Sequence, residues 1–96
     1  MSFRLTFTRE AASVLERLEA GRDPKLKKVR KALALLEANP RHPGLATHEF
    51  TSLSGPSGEK VFEAYVENRT PGAWRIFWYY GPSAGMIRVL DITPHP

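Results

Sequence analysis

Phe3, Leu5 and Phe7 alternate with Arg4 and Thr6, the period-two pattern of a short half-buried strand. After Thr8 the period lengthens. Ala11, Val14, Leu15 and Leu18 fall at i, i+3, i+4 and i+7, one apolar stripe along a helix, with Thr8 as its cap and Glu10 in its first turn. Gly21 stops this helix. Asp23-Pro24 opens another, the aspartate as cap and the proline at the first helical position. Leu26, Val29, Leu33 and Leu36 form its stripe, widened by Ala32 and Leu35, and Asn39-Pro40 closes it.

Residues 40–46 are a loop by composition. From Thr47 the period returns to two. His48 to Leu53 reads as a weak strand and Lys60 to Glu67 as a strong one, with Phe62, Ala64 and Val66 on one face. Two more strands follow, Ala73 to Tyr80 and Met86 to Ile92, joined through a Gly81-Pro-Ser-Ala-Gly85 connection. The expected architecture is α+β: a helical hairpin packed on a small, mainly antiparallel sheet in the order β-α-α-β-β-β-β. Phe3, Leu5, Phe7, Leu15, Leu18, Leu26, Val29, Leu33, Leu36, Phe62, Val66, Trp74, Ile76, Trp78 and Leu90 make the expected core. At 96 residues the chain reads as a single domain over positions 1–96, with room for one core.

The aromatic strand is the richest in chemistry. Read as a strand, it sends Trp74, Ile76, Trp78 and Tyr80 to one face and Arg75, Phe77 and Tyr79 to the other. Pairing Glu67 with Ala73 across the intervening turn sets Tyr65 opposite Arg75 and Glu63 opposite Phe77. Pairing Tyr80 with Met86 sets Asp91 opposite Arg75 on its other side. The face away from the helices then carries Glu63, Tyr65, Glu67, Arg75, Phe77, Tyr79, Val89 and Asp91, with Glu49 nearby if Phe50 points inward. Two readings of Arg75 stay open: an ion-pair cluster with Asp91 and the glutamates, or a clamp for a phosphate or a developing negative charge, with Phe77 and Tyr79 as ring surfaces beside it.

Charge adds a second candidate. The formal net charge is +4, and Lys25, Lys27, Lys28, Arg30 and Lys31 crowd the start of the second helix with no acid until Glu37. Positive charge there opposes the helix dipole and repels itself at i, i+3 and i+4. The patch is either a contact for a polyanion or acidic partner, or a solvated face. His42 and His48 lack ligand-spaced partners, so no metal site is expected. His95, between two prolines, is a candidate acid or base. With no cysteine, disulfides and thiolate nucleophiles are excluded. No apolar stretch approaches membrane or signal-peptide pattern, which points to a cytoplasmic protein without membrane partners. No phosphate-binding glycine loop or nucleophile elbow occurs, and no cofactor is expected.

The chain resembles the RelE/ParE superfamily of toxins from type II toxin–antitoxin systems. The residues that carry the resemblance are Phe3-Arg-Leu-Thr-Phe-Thr-Arg-Glu-Ala11, the hairpin ending Leu36-Glu-Ala-Asn-Pro40, Pro43-Gly-Leu45, Leu53-Ser-Gly55, Ala73-Trp-Arg-Ile-Phe77 and the closing strand. In its RelE branch the resemblance implies a metal-independent, ribosome-dependent mRNA endonuclease, neutralised by a cognate antitoxin protein, with the ribosome and mRNA as further partners. The family's strand arginine matches Arg75. The terminal histidine of YoeB-like members corresponds to His95, and their glutamate before the Leu-x-Gly turn to Glu49. The other branch implies a non-catalytic protein-binding module, a ParE-like gyrase inhibitor or an inactive relative. The sequence departs from RelE-like members in placing Glu63, Glu67 and Asp91 where they carry basic residues, and in ending Thr93-Pro-His-Pro96.

Overall fold

The computed structural model describes residues 2–94. His95 therefore lies outside the described residues. Strand β1 (Arg4–Phe7) leads into helix α1 (Arg9–Ala20) and helix α2 (Lys25–Ala38), then a short 3-10 turn (Pro43–Leu45). Strands β2 (His48–Ser54), β3 (Lys60–Tyr65), β4 (Trp74–Tyr80) and β5 (Met86–Pro94) follow. They form one five-stranded sheet in the order β1-β5-β4-β3-β2. Only β1 and β5 run parallel; the other neighbours are antiparallel. The mixed sheet with its two helices is the α+β arrangement expected from the periodicity. Among the described residues no helix is long and apolar enough to cross a membrane.

The core lies between the hairpin and one face of the sheet. Val14, Leu18, Val29, Leu33 and Leu36 share a buried cluster with Ala64, Ile76, Trp78, Ile87, Val89 and Ile92. Phe3, Leu5, Phe7, Leu15, Leu26, Phe62, Val66 and Trp74 are partly buried against it. Each helix thus buries the stripe that its spacing announced.

One expected core residue is replaced. The β4–β5 ladder steps from Phe77↔Asp91 to Trp78↔Val89 and skips Leu90, a β-bulge that puts two β5 residues against one step of β4. Val89 is fully buried in the core and Leu90 is only half-buried. The bulge sits where β1 ends and α1 begins. Thr8 donates its backbone N–H to Val89 O at 3.0 Å and its hydroxyl to Leu90 O at 2.6 Å, while its Oγ1 accepts from Ala11 N. One threonine caps the helix and satisfies the extra carbonyl. The hairpin also starts one residue off the expected pairing, with Tyr80 opposite Ile87 rather than Met86. The bulge adds a second step, so Asp91 moves from the expected position opposite Arg75 to one opposite Phe77, leaving Thr93 opposite Arg75.

Candidate functional site

The β3–β4 register is Tyr65↔Arg75 and Glu63↔Phe77, as the turn length between these strands implies. Residues paired across an antiparallel ladder share a face. Glu63, Tyr65, Arg75, Phe77 and Tyr79 are therefore together on the face turned away from the hairpin. That face is nevertheless not open. Glu63 is 2% exposed, Arg75 7%, Phe77 4% and Tyr79 5%. The β2–β3 ladder is irregular between Glu49 and Ser54, and Phe50 of β2 sets its ring edge-on to Phe77 at 4.8 Å. Phe77 and Tyr79 are thus packed side chains rather than free ring surfaces.

Arg75 is held from several sides. Its guanidinium lies 3.7 Å from the centre of the Tyr65 ring, a cation–π contact made stronger by burial. One terminal nitrogen, NH1, donates to the backbone carbonyls of Glu67 at 2.6 Å and Trp74 at 3.1 Å. Its Nε faces Glu63 Oε2 at 3.8 Å, too far for a hydrogen bond, and that nitrogen is buried without a hydrogen-bond partner among the described residues. Of the ion-pair cluster expected around Arg75, Glu63 is present. Asp91 is not: it lines a shallow groove with Arg9, Ser13 and Arg17 of α1.

His48 completes the cluster. Its Nε2 lies 2.7 Å from Glu63 Oε1 and its Nδ1 lies 2.9 Å from Ala46 O. Ala46 is in the left-handed region, at φ 47°, and closes the 3-10 turn just before β2. A carbonyl only accepts, so Nδ1 carries a hydrogen. Nε2 and Glu63 then hold one proton between them, as imidazolium and carboxylate or as imidazole and carboxylic acid. The His48 side chain is 46% exposed against 2% for Glu63, so the ring is the solvent-facing end of the pair. Its edge also meets the Tyr65 ring, at 5.8 Å.

Sequence reasoning passed over His48 and favoured Glu49, but the ladder puts His48 rather than Glu49 on Arg75's face. Glu49 pairs with Phe62, which packs against the core on the hairpin side. Glu49 is thus on the opposite face from Arg75, and Phe50 points towards Arg75's face rather than into the core. The readable signal was parity: if Phe50 belongs with Phe77, His48 does too.

The basic start of α2 is partly compensated. Lys25 and Lys28 both reach Glu67 Oε2, at 2.5 and 3.2 Å, and Arg30 lies 3.4 Å from Glu19. Neither acid is near these cations in sequence, which is why the patch looked uncompensated. The hydrogen bond from Lys25 holds the Glu67 carboxyl below the usual carboxylate range, against the opposing effect of burial, with help from Trp74 N and Lys28. Lys27 and Lys31 are exposed and make no salt bridge among the described residues. Beside this strut, α2 and the end of β3 enclose a groove of about 610 Å³. Among the described residues no group of three or more His, Asp or Glu side chains is placed to hold a metal ion.

No protein-family model and no curated protein matches the sequence. Solved structures do match, over nearly the whole chain. RelE in the archaeal RelE–RelB complex from Pyrococcus horikoshii superposes with a TM-score of 0.67 at 15% identity, covering 98% of this chain and 96% of that one. A YoeB/ParE toxin from Agrobacterium tumefaciens gives 0.71 at 12% identity, covering 97% and 99%. YafQ from E. coli gives 0.65 at 13% identity, covering 97% and 93%. At such identities the likeness is one of fold, and this chain has the RelE-like fold, two helices on a five-stranded mixed sheet.

Proposed function

We propose that this protein is a toxin of the RelE type that cleaves mRNA on the ribosome and is neutralised by an antitoxin protein. Arg75 serves as the phosphate clamp, and the His48–Glu63 pair as the proton-handling group beside it. The observation that carries this reading is the seat of Arg75: a buried guanidinium fixed on the Tyr65 ring, next to the contact of His48 Nε2 with Glu63 Oε1 at 2.7 Å. A fixed cation needs little reorganisation when charge develops on a phosphate, which is how such groups lower a barrier. The RelE structure solved with RelB supports an antitoxin as the partner.

In this reading the described geometry is a closed resting state. Both His48 nitrogens are engaged, and Glu63 is only 2% exposed. Rotation of His48 off Glu63 opens the carboxylate and the Arg75 Nε beside it together. A 2′-hydroxyl then loses its proton to the pair as its oxygen bonds to phosphorus. The bond to the 5′-oxygen breaks, and that oxygen takes a proton from water, giving a 2′,3′-cyclic phosphate and a 5′-hydroxyl.

The test is induced expression of the chain in a bacterial host lacking any antitoxin, with mRNA 5′-ends mapped. Growth arrest with new ends inside coding sequences supports the reading. Normal growth and intact transcripts while folded protein accumulates overturn it. A second reading, a protein-binding relative without nuclease activity, is favoured by one observation: a carboxylate, Glu63, already stands at Arg75 where a substrate phosphate would go.

A further inference from the structure

The β4–β5 hairpin sets Arg88 opposite Tyr79 and, across the parallel ladder, beside Thr6. The register expected from the sequence would have set Arg88 opposite Trp78, in the core, where an unpaired guanidinium is very costly. In the structure Arg88 shares the face of Tyr79 and Arg75 instead. Arg4 lies two residues before Thr6 on β1 and faces the same way. Strand geometry puts the Cα atoms of Arg4 and Arg88 roughly 8 Å apart, and those of Arg75 and Tyr79 about 13 Å apart.

The arginines of this face are held differently. Arg75 is 7% exposed and donates to the carbonyls of Glu67 and Trp74. Arg88 is half-buried and Arg4 exposed, and neither side chain makes an ion pair or hydrogen bond among the described residues. The Thr6 hydroxyl beside Arg88 is shielded from solvent and lacks a hydrogen-bond partner among the described residues, so it takes no hydrogen from the guanidinium. The acids of this side of the sheet are engaged elsewhere. Glu63 meets His48 and Arg75, Glu67 meets Lys25 and Lys28, and Asp91 accepts from Ile92 N at 2.9 Å. Two neighbouring cations without an acid repel each other, and a shared anion relieves that repulsion.

The chemistry selects a phosphodiester. A guanidinium offers paired donors in a fork that matches phosphate oxygens. No ring beside these arginines is free to stack a base: Tyr79 is 5% exposed, and Phe77 is 4% exposed against the Phe50 ring. Such a surface reads charge along a strand and not base identity. We propose that Arg88 and Arg4 together hold a backbone phosphate of single-stranded RNA, whatever the adjoining base. That this strand is the one cut at Arg75 rests on the toxin reading; the phosphate contact does not.

The experiment uses the full chain with fluorescent oligouridylate and oligoadenylate, titrated over a salt series, and oligoglutamate as a third probe. Arg88→Gln is expected to weaken binding of both RNAs by the same factor, about threefold or more, and to lower the salt slope by about 0.7, the share of one single-strand phosphate contact. Arg4→Gln, at an exposed position, is expected to act in the same direction with an unchanged melting temperature, which decides the matter if Arg88→Gln fails to fold. Four results would each overturn the proposal: no RNA binding by the wild type, an unchanged slope in the folded variants, a loss confined to one RNA sequence, or tighter binding of oligoglutamate. The last would give the patch to an acidic protein. RNA binding of this kind by a chain that cleaves no mRNA would keep the phosphate contact and remove the nuclease. Cleavage by a chain whose RNA affinity ignores Arg4 and Arg88 would do the reverse.

Discussion

Ile76 and Trp78 turn towards the helical hairpin and are fully buried in the main core, while Arg75, Phe77 and Tyr79 alternate with them on the same strand and are nearly as deeply buried outside it. The first set is buried by apolar area, a non-directional force of roughly 25 cal/mol per Å² that accepts many arrangements. The second set is buried by directional contacts: a ring under a guanidinium, a carboxylate against an imidazole, carbonyls on an arginine nitrogen. A face held that way loses little when an apolar contact is trimmed, but it loses its geometry when one polar partner goes. The difference separates the part of the sheet that makes the protein fold from the part that would make it act.

That contrast is open to direct attack, and the largest effect belongs to the core. Trp78→Ala should destabilise the chain by about 3–5 kcal/mol, because a large ring is removed from a close-packed site; a thermal or urea melt measures it. A loss below about 1 kcal/mol would mean that the hairpin face is loosely packed. Arg75→Ala should instead cost cleavage, on the order of 2–4 kcal/mol of transition-state stabilisation or about a hundredfold or more in rate. The chain should stay folded, with a lowered melting temperature because the buried Glu63 loses the guanidinium beside it.

Glu67→Gln sharpens the comparison at the boundary between the two regions. The substitution should cost about 1–2 kcal/mol through weakened bonds to Lys25 and Lys28, seen as a lower denaturation midpoint. The pH dependence has a definite sign. The folded-state value of Glu67 lies below the ordinary 4.5, so its contribution is present above that value and is lost as pH falls below it. Acid melts of the wild type and of Glu67→Gln should therefore converge below pH 4.5 and diverge above it. The smallest effect is expected at Glu49. Glu49→Gln should leave both stability and cleavage within about twofold, since the side chain is exposed on the hairpin side of the sheet. A large loss of cleavage there would return the site to the sequence-based assignment.

The helices, the neighbours of β4 and most of the core were legible, because burial against one partner layer imposes a period on the sequence and short turns join adjacent strands. The Tyr65–Arg75 pairing was legible because the turn after Glu67 sets the register. Three things were not. The β4–β5 hairpin starts with Tyr80 opposite Ile87, a one-residue slip that exchanges the faces of the β5 residues up to the bulge, and the bulge at Leu90 that undoes it is met by a hydroxyl more than eighty positions away in the chain, on Thr8. The partnership of Lys25 and Lys28 with Glu67 spans α2 and the end of β3, and no local rule pairs them. Glu49 and His48 are adjacent, so choosing between them required the β2 register, which the weak alternation of His48 to Leu53 left undetermined.

The most direct measurement is the cleavage rate of mRNA in a purified ribosome mixture for wild type, Arg75→Ala and Glu63→Gln, with melting temperatures taken on the same preparations. The account predicts that wild type cleaves and that both variants fall by about a hundredfold or more while remaining folded at the assay temperature. Equal cleavage by folded Arg75→Ala, or no cleavage by folded wild type, would contradict it.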